Sequence, residues 1–265
     1  MSHWYDKEGN PKYEVLGKSG VRPTTLRDAR KAGWVPSVST VWGDVVSKPM
    51  LNKWKEDELV KCMWEESRSP NNMGNQDCSY DSTYKAVRER FSQEQQAVMN
   101  RGTVIHDHLE NYFKGHLRTE DPDENPMYMQ ICHNVHKKLN EVCGELPLEG
   151  WQSERSFAHS DGYGGKIDLC NEDWVVDFKT KKFGENPVAK KLAYDDYGVQ
   201  LAAYAKGIGK GRRILNLFID IGEGNRVLEW EHEDVSRYEK MFDSGLSLWK
   251  LIKKYDPSFK DYKVM

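Results

Sequence analysis

No stretch of this sequence approaches the roughly 18 consecutive apolar residues that a membrane-spanning helix requires, so a transmembrane helix is excluded and no membrane partner is expected. The first ten residues are polar and lack an apolar signal region, so the chain is expected to act in the cytoplasm. Cysteines are few: Cys62, Cys78, Cys132, Cys143 and Cys170. Their number is odd and none forms a C-x-x-C pair, which argues against a disulfide framework or a structural zinc site. An excess of positive charge is also lacking. The formal net charge is −3, so total charge gives no footprint of a nucleic-acid binder. Gly17-Lys18-Ser19 lacks the earlier glycine of a phosphate loop, because position 12 is lysine, and ATP binding is not expected.

What is present is an ordinary globular composition with local order in its charge. Basic residues gather at Lys179, Lys181 and Lys182, at Lys190 and Lys191, and from Lys206 to Arg213. They allow a basic groove on a net acidic protein, with Lys181 a candidate for substrate contact, although solvated surface is as good a reading of any one cluster. Trp34, Trp42 and Trp54 are candidates for stacking on bases, against a default of core.

Hydrophobic spacing gives the coarse structure. Residues 1–33 read as an irregular arm or small hairpin. Helices are expected over Lys53–Glu66, over Ser82–Phe113 in two pieces broken near Asn100-Arg101-Gly102, and over Met127–Val142. Loops are expected at 67–80 and 118–126. Trp151–His159, Gly165–Cys170 and Trp174–Thr180 read as strands, Val188–Lys206 as helix, Ile214–Ile221 and Val227–His232 as strands joined by a turn at 222–225, and Val235–Tyr255 as a closing helix. The order predicts an α/β fold, a mixed central β-sheet flanked by helices, with an N-terminal helical region. The division expected is an arm and helical region over 1–100 and a core over 101–265, packed as one compact unit.

Two of these strands carry the chemistry. Alternate side chains of a strand share a face. Along Trp174-Val175-Val176-Asp177-Phe178-Lys179, the first, third and fifth residues point to one apolar side, and Val175, Asp177 and Lys179 to the other. In Gly165-Lys166-Ile167-Asp168-Leu169-Cys170, Asp168 opposes the apolar Ile167 and Leu169. A two- or four-residue turn sets Asp168 directly opposite Asp177, and a three-residue turn offsets them. Two carboxylates that close repel unless a cation intervenes. Hard divalent ions, Mg2+ or Mn2+, take such oxygens, and the main-chain carbonyl of Phe178 offers another. Lys179 would orient the attacking water and hold charge developing on a phosphate. A hairpin with a solvated Asp–Lys face is an equally good reading of this motif alone.

Three features shift that balance. Glu154, on the preceding strand, can join the same face as a ligand or its support. His106 and Glu110 share a helix face four residues apart, after Gly102-Thr103. Gln200 and Tyr204 share a face on a helix whose small residues, Ala202, Ala203 and Ala205, let it pack closely on the sheet.

Gly-Thr-x-x-His at 102–106, Glu154, Gly-x-Ile-Asp at 165–168, Asp-x-Lys at 177–179 and Gln-x-x-x-Tyr at 200–204, in this order, resemble the RecB-like branch of the PD-(D/E)XK nucleases. Pro36-Ser37-Val38-Ser39-Thr40-Val41 is similar to a segment of mitochondrial genome maintenance exonucleases and related phage exonucleases, with Ser39 where threonine is usual. The likeness covers about residues 34–220, and 44–100 match nothing specific. It implies a restriction-endonuclease-like core and a metal-dependent DNA exonuclease preferring single strands or ends. Asp168, Asp177 and His106 would be metal ligands, Lys179 and Glu154 catalytic residues, and Gln200 and Tyr204 substrate contacts. Ser37, Ser39 and Thr40 would belong to the part that guides single-stranded DNA. DNA would be the partner, with replication or recombination proteins, in a phage-like setting. Some relatives hold an iron–sulfur cluster through cysteines after the Gln–Tyr helix. None follows Cys170, so no cluster is expected. A structure-specific endonuclease on the same fold and a non-catalytic nucleic-acid-binding protein remain the alternatives.

Overall fold

The computed structural model describes residues 3–47, 49–67, 80–117, 126–209, 211–222 and 226–260. Apart from their end residues, the loops expected at 67–80 and 118–126 and the turn at 222–225 lie outside the described residues, as does Cys78. The chain runs β1 (Trp4–Tyr5), β2 (Glu14–Gly17), β3 (Gly20–Pro23), α1 (Leu26–Ala32), β4 (Val35–Pro36), α2 (Val38–Val45), α3 (Pro49–Ser67), α4 (Tyr80–Phe113) and α5 (Pro126–Cys143). It continues with β5 (Gln152–His159), β6 (Tyr163–Cys170), β7 (Trp174–Lys181), α6 (Ala189–Leu192), α7 (Asp195–Ile208), β8 (Arg213–Asp220), β9 (Val227–Glu231) and α8 (Val235–Lys253). The class is the expected one, α/β with a mixed sheet flanked by helices.

Contacts divide the chain otherwise than at residue 100. Met1–Val46 belongs with His106–Met265, and Ser47–Ile105 forms a second unit. The arm joins the sheet unit because β1 pairs with β4 and because Trp4, Ala29, Val38 and Val41 are buried in the main core. Local chemistry starts its helices. Thr25 and Asp28 form a capping box on α1, and Gly33 closes it in the left-handed region at φ 70°. Within the second unit, Arg90 on α4 bonds Glu65 of α3 and Glu94, and the Cys62 thiol also donates to Glu94.

Two helical expectations change. No break occurs near residue 100, and α4 is continuous. A glycine inside a helix costs only about 1 kcal/mol, and the Thr103 hydroxyl donates back to Met99 O instead of capping a new start. The helix expected over Val188–Lys206 is instead divided at Ala193 and Tyr194.

The sheet has the order β5-β6-β7-β8-β9. Only β7–β8 is parallel. Its crossover, α6 and α7, lays α7 on one face together with α2 and α8. On the other face Phe113 stacks on Phe178. The alternation of β7 predicts a polar face; instead both faces are covered, and Val175, Val176, Asp177 and Phe178 are all buried. Trp42 is core as well, its indole donating to Asp196. Helix α7 sits close because two glycines permit it. A Cβ on Gly198 would stand 2.6 Å from the Tyr238 ring, and one on Gly165 would stand 2.6 Å from Tyr204 Cε1.

Candidate active site

The turn between β6 and β7 fixes how the two acids meet. Asn171 accepts from the main-chain N–H groups of Asp173 and Trp174. The resulting ladder pairs Cys170 with Val175 and Leu169 with Val176, then stops. In that register Asp168 stands opposite Asp177, where the strands part. There the Asp168 carboxylate, not a main-chain carbonyl, takes the Phe178 N–H at 2.8 Å. Burial, and then the charge of Asp177, push the Asp168 carboxyl up to about 6. His106 Nδ1 lies 3.6 Å from Asp168 Oδ2, with its ring edge toward Phe178.

Asp177 is 2% exposed and fully engaged. Lys179 Nζ lies 2.9 Å from both of its oxygens. Gln200 Nε2 donates to Oδ1 at 3.2 Å and Asn216 Nδ2 donates to Oδ2 at 2.7 Å. Burial works against the Lys179 ammonium, but the charges of Asp177 and Asp168 outweigh it and raise its pKa. Gln200 ties the helix to the strand. Its amide also donates to the Tyr204 hydroxyl at 3.1 Å, and its oxygen accepts from Lys179 at 3.4 Å. Burial holds the Tyr204 phenol well above its usual range.

Asp168, Asp177, Lys179, His106, Gln200 and Tyr204 are thus brought together from β6, β7, α4 and α7. Glu154 lies alongside. Ser153 pairs with Leu169 and Arg155 with Ile167, which sets Glu154 opposite Asp168. Its φ of 55° is left-handed, a strained value for a residue with a side chain. Its carboxylate pairs with Lys166. Lys181 is drawn aside. Its ammonium donates to Leu192 O and sits among the rings of Tyr194, Tyr197 and Phe218. Burial, and then Lys179, lower it to about 8.

Ser37, Ser39 and Thr40 form a different structure, the start of α2. Ser37 caps the helix by accepting from Thr40 N, and its hydroxyl reaches both Thr40 Oγ1 and Ser39. Main-chain bridging of Ser37 to Gly164 sets this cap beside β6. None of the three touches Asp168 or Asp177 through a described hydrogen bond.

Sequence reasoning missed Lys166, Tyr197, Asn216 and His232. Lys179 Nζ lies 4.9 Å from the Tyr197 ring centre. Asn216 and His232 are buried, and His232 Nε2 lies 2.8 Å from Asn216 Oδ1. Burial lowers His232 to about 4. The available signal was Asn216 itself, a lone amide within the apolar run Ile214–Ile219.

Among the described residues, no three His, Cys, Asp or Glu side chains are spaced to hold a metal ion unaided. At Asp177 the cationic position is taken by Lys179. The donor chemistry nonetheless suits a hard divalent ion, because burial and then the charge of Asp177 hold Asp168 back from ionising, and a cation between the two carboxylates would relieve both. Among the described residues, no helix is long and apolar enough to cross a membrane.

No family model matches this chain, and no curated protein matches it. Among solved structures, a candidate exonuclease from Eubacterium rectale is 14% identical, with a TM-score of 0.40 over 58% of this chain and 68% of that one. The structure of SSO0001 is 15% identical, with a TM-score of 0.25 over 43% of this chain and 55% of that one. Overlaps of this size carry no inference about chemistry.

Proposed function

We propose that this protein is a metal-dependent DNA exonuclease of the RecB-like PD-(D/E)XK type, acting on single strands or DNA ends in replication, recombination or repair. The observation that carries the reading is the juxtaposition of Asp168, Asp177 and Lys179 where β6 and β7 part, with Gln200 of α7 bridging acid and lysine. A buried acid and a half-buried one that repel, next to a lysine, make a good phosphodiester site.

Asp168, Asp177 and the Phe178 carbonyl would hold Mg2+ or Mn2+, with His106 at the side. When bound, such an ion supplies Lewis-acid polarisation of the phosphate. The chain's own groups do the rest. Lys179 orients a water toward phosphorus and holds negative charge as it grows on the phosphate oxygens. Gln200 keeps the lysine aimed, and Tyr204 keeps Gln200 in place. Asp177 is shut off from bulk water, which strengthens its interactions with Lys179, Gln200 and Asn216.

The test uses end-labelled single- and double-stranded DNA and a covalently closed single-stranded circle, in Mg2+, Mn2+ or EDTA, with Lys179→Ala as control. Metal-dependent loss of linear strands with the circle spared, and a drop of about 10²–10³-fold in the variant, is expected. Cutting of the circle makes the protein an endonuclease. No cutting with either metal, and equal DNA binding by both proteins, removes the catalytic reading.

A further inference from the structure

We propose that Asn216 and His232 form a relay that positions Asp177, making them positioning residues for the chemistry above. The inference rests on the nuclease reading of that site.

The argument begins with an anomaly in β8. Ile214, Leu215, Leu217, Phe218 and Ile219 are buried and apolar, and Asn216 among them is 0% exposed. A buried amide is tolerated only when its hydrogen bonds are made. Here they are made in one direction. The parallel pairing of β7 with β8 sets Asn216 beside Asp177. Asn216 Nδ2 donates to Asp177 Oδ2 at 2.7 Å and to the Asp177 main-chain oxygen at 3.3 Å. Both amide hydrogens therefore face Asp177, and Asn216 Oδ1 faces away from it.

That oxygen can accept only from a donor, and the group 2.8 Å away is His232 Nε2. The bonding fixes the ring as the Nε2–H tautomer. Nδ1 is buried and has no hydrogen-bond partner among the described residues. It is then the bare nitrogen, since a proton there would bury both an orphan donor and a charge. The ring is held in place: the His232 main-chain N–H donates to Ile214 O, and the Tyr238 ring packs edge-on against it. The Tyr238 hydroxyl in turn donates to Asp195 at 3.2 Å.

The relay thus runs His232 to Asn216 to Asp177, every donor pointing toward the carboxylate. The amide cannot turn over without facing its oxygen to Asp177 and its N–H2 to His232 Nε2–H. The relay holds Asp177 Oδ2 and the main-chain carbonyl together, while Gln200 takes Oδ1 and Lys179 stays within 2.9 Å of both oxygens. A satisfied pair with no bearing on Asp177 would need no such polarity.

Three variants and the wild type test it. Asn216→Leu keeps the size and removes the bonds, His232→Phe removes the donor, and His232→Gln replaces it with an amide N–H. Mn2+ affinity by electron paramagnetic resonance, kcat, KM and the cooperativity of melting are read for each. The first two variants are expected to lose about 10–100-fold in both Mn2+ affinity and kcat while KM moves little, and His232→Gln to recover most of both. Variants that melt cooperatively yet bind Mn2+ and cut DNA as the wild type does overturn the relay. A second measurement needs neither metal nor activity. Long-range 1H–15N spectra of the wild type should show His232 neutral with its proton on Nε2, and a proton on Nδ1 overturns the relay. A wild type without nuclease activity defeats the nuclease reading alone, and the spectra still decide the relay.

Discussion

Replacing Asp168 by asparagine should make the metal-free protein more stable while abolishing its activity. The Asp168 carboxyl is raised from 3.8 to about 6, first by burial and then by Asp177, against the attractions of His106 and Lys179. The folded value lies above the unfolded one, so the acid favours folding only while protonated. Nothing is lost below the unfolded value of 3.8, the loss grows as pH rises toward about 6, and it is complete above. At about 1.4 kcal/mol per unit, the ionised carboxylate costs the fold roughly 3 kcal/mol. Asparagine has the same outline, and its oxygen can keep the Phe178 N–H bond seen at 2.8 Å. Urea denaturation in EDTA should show Asp168→Asn about 1–3 kcal/mol more stable than wild type near pH 8, the gap shrinking by about 2 kcal/mol near pH 4.5. Added Mg2+ or Mn2+ should raise the melting temperature of the wild type and leave the variant unmoved. A variant no more stable at pH 8, or a gap indifferent to pH, would refute the reasoning.

Three more expectations follow from the same geometry. Gln200→Leu should lower kcat about 10–100-fold with KM nearly unchanged, because it removes a donor from Asp177 and an acceptor from Lys179; a lower affinity for DNA with kcat intact would contradict this. Gly165→Ala should destabilise by about 1–3 kcal/mol in urea titrations, since its methyl would meet Tyr204 at 2.6 Å and Phe157 at 3.0 Å; an unchanged midpoint would show that the contact relaxes freely. Asp220→Ala, away from the chemistry, should cost about 3 kcal/mol of stability because Phe183 N, Gly222 N and Arg226 all donate to this buried carboxylate; wild-type stability in the same titrations would show that solvent replaces it.

Much of the sheet could be read from the chain because its information is local. Period-two alternation and turn residues such as Asn171 located β5, β6 and β7 within a few residues. The mixed sheet followed from the helix placed between β7 and β8. What local pattern could not show was which side of β7 would be dry. The alternation of Asp177 and Lys179 reads as a solvated face, and only the crossover packing of α7 buries it. The partnership of Asn216 with Asp177 is likewise a fact of register between strands 39 residues apart in the chain. The turn of Lys181 toward Tyr194 depends on the interruption between α6 and α7, which periodicity read straight through. The capping geometry at Ser37 is written in its sequence neighbours, whereas its bridge to Gly164 is not.

The parallel pairing of β7 with β8 has a consequence for synthesis. A chain emerging from the ribosome carries Asp168, Asp177 and Lys179 on a hairpin long before β8 exists, and that hairpin is secured by only two paired rungs next to the acids. Strand β8, which pairs with β7 along its whole length and sets Asn216 beside Asp177, begins at Arg213, and His232 comes later still. A truncated or stalled product therefore holds all the reactive groups without the wall that orients them. The stretch from Arg213 to His232 acts as the assembly key, and a cell making this protein meets the finished centre only after that stretch has been joined.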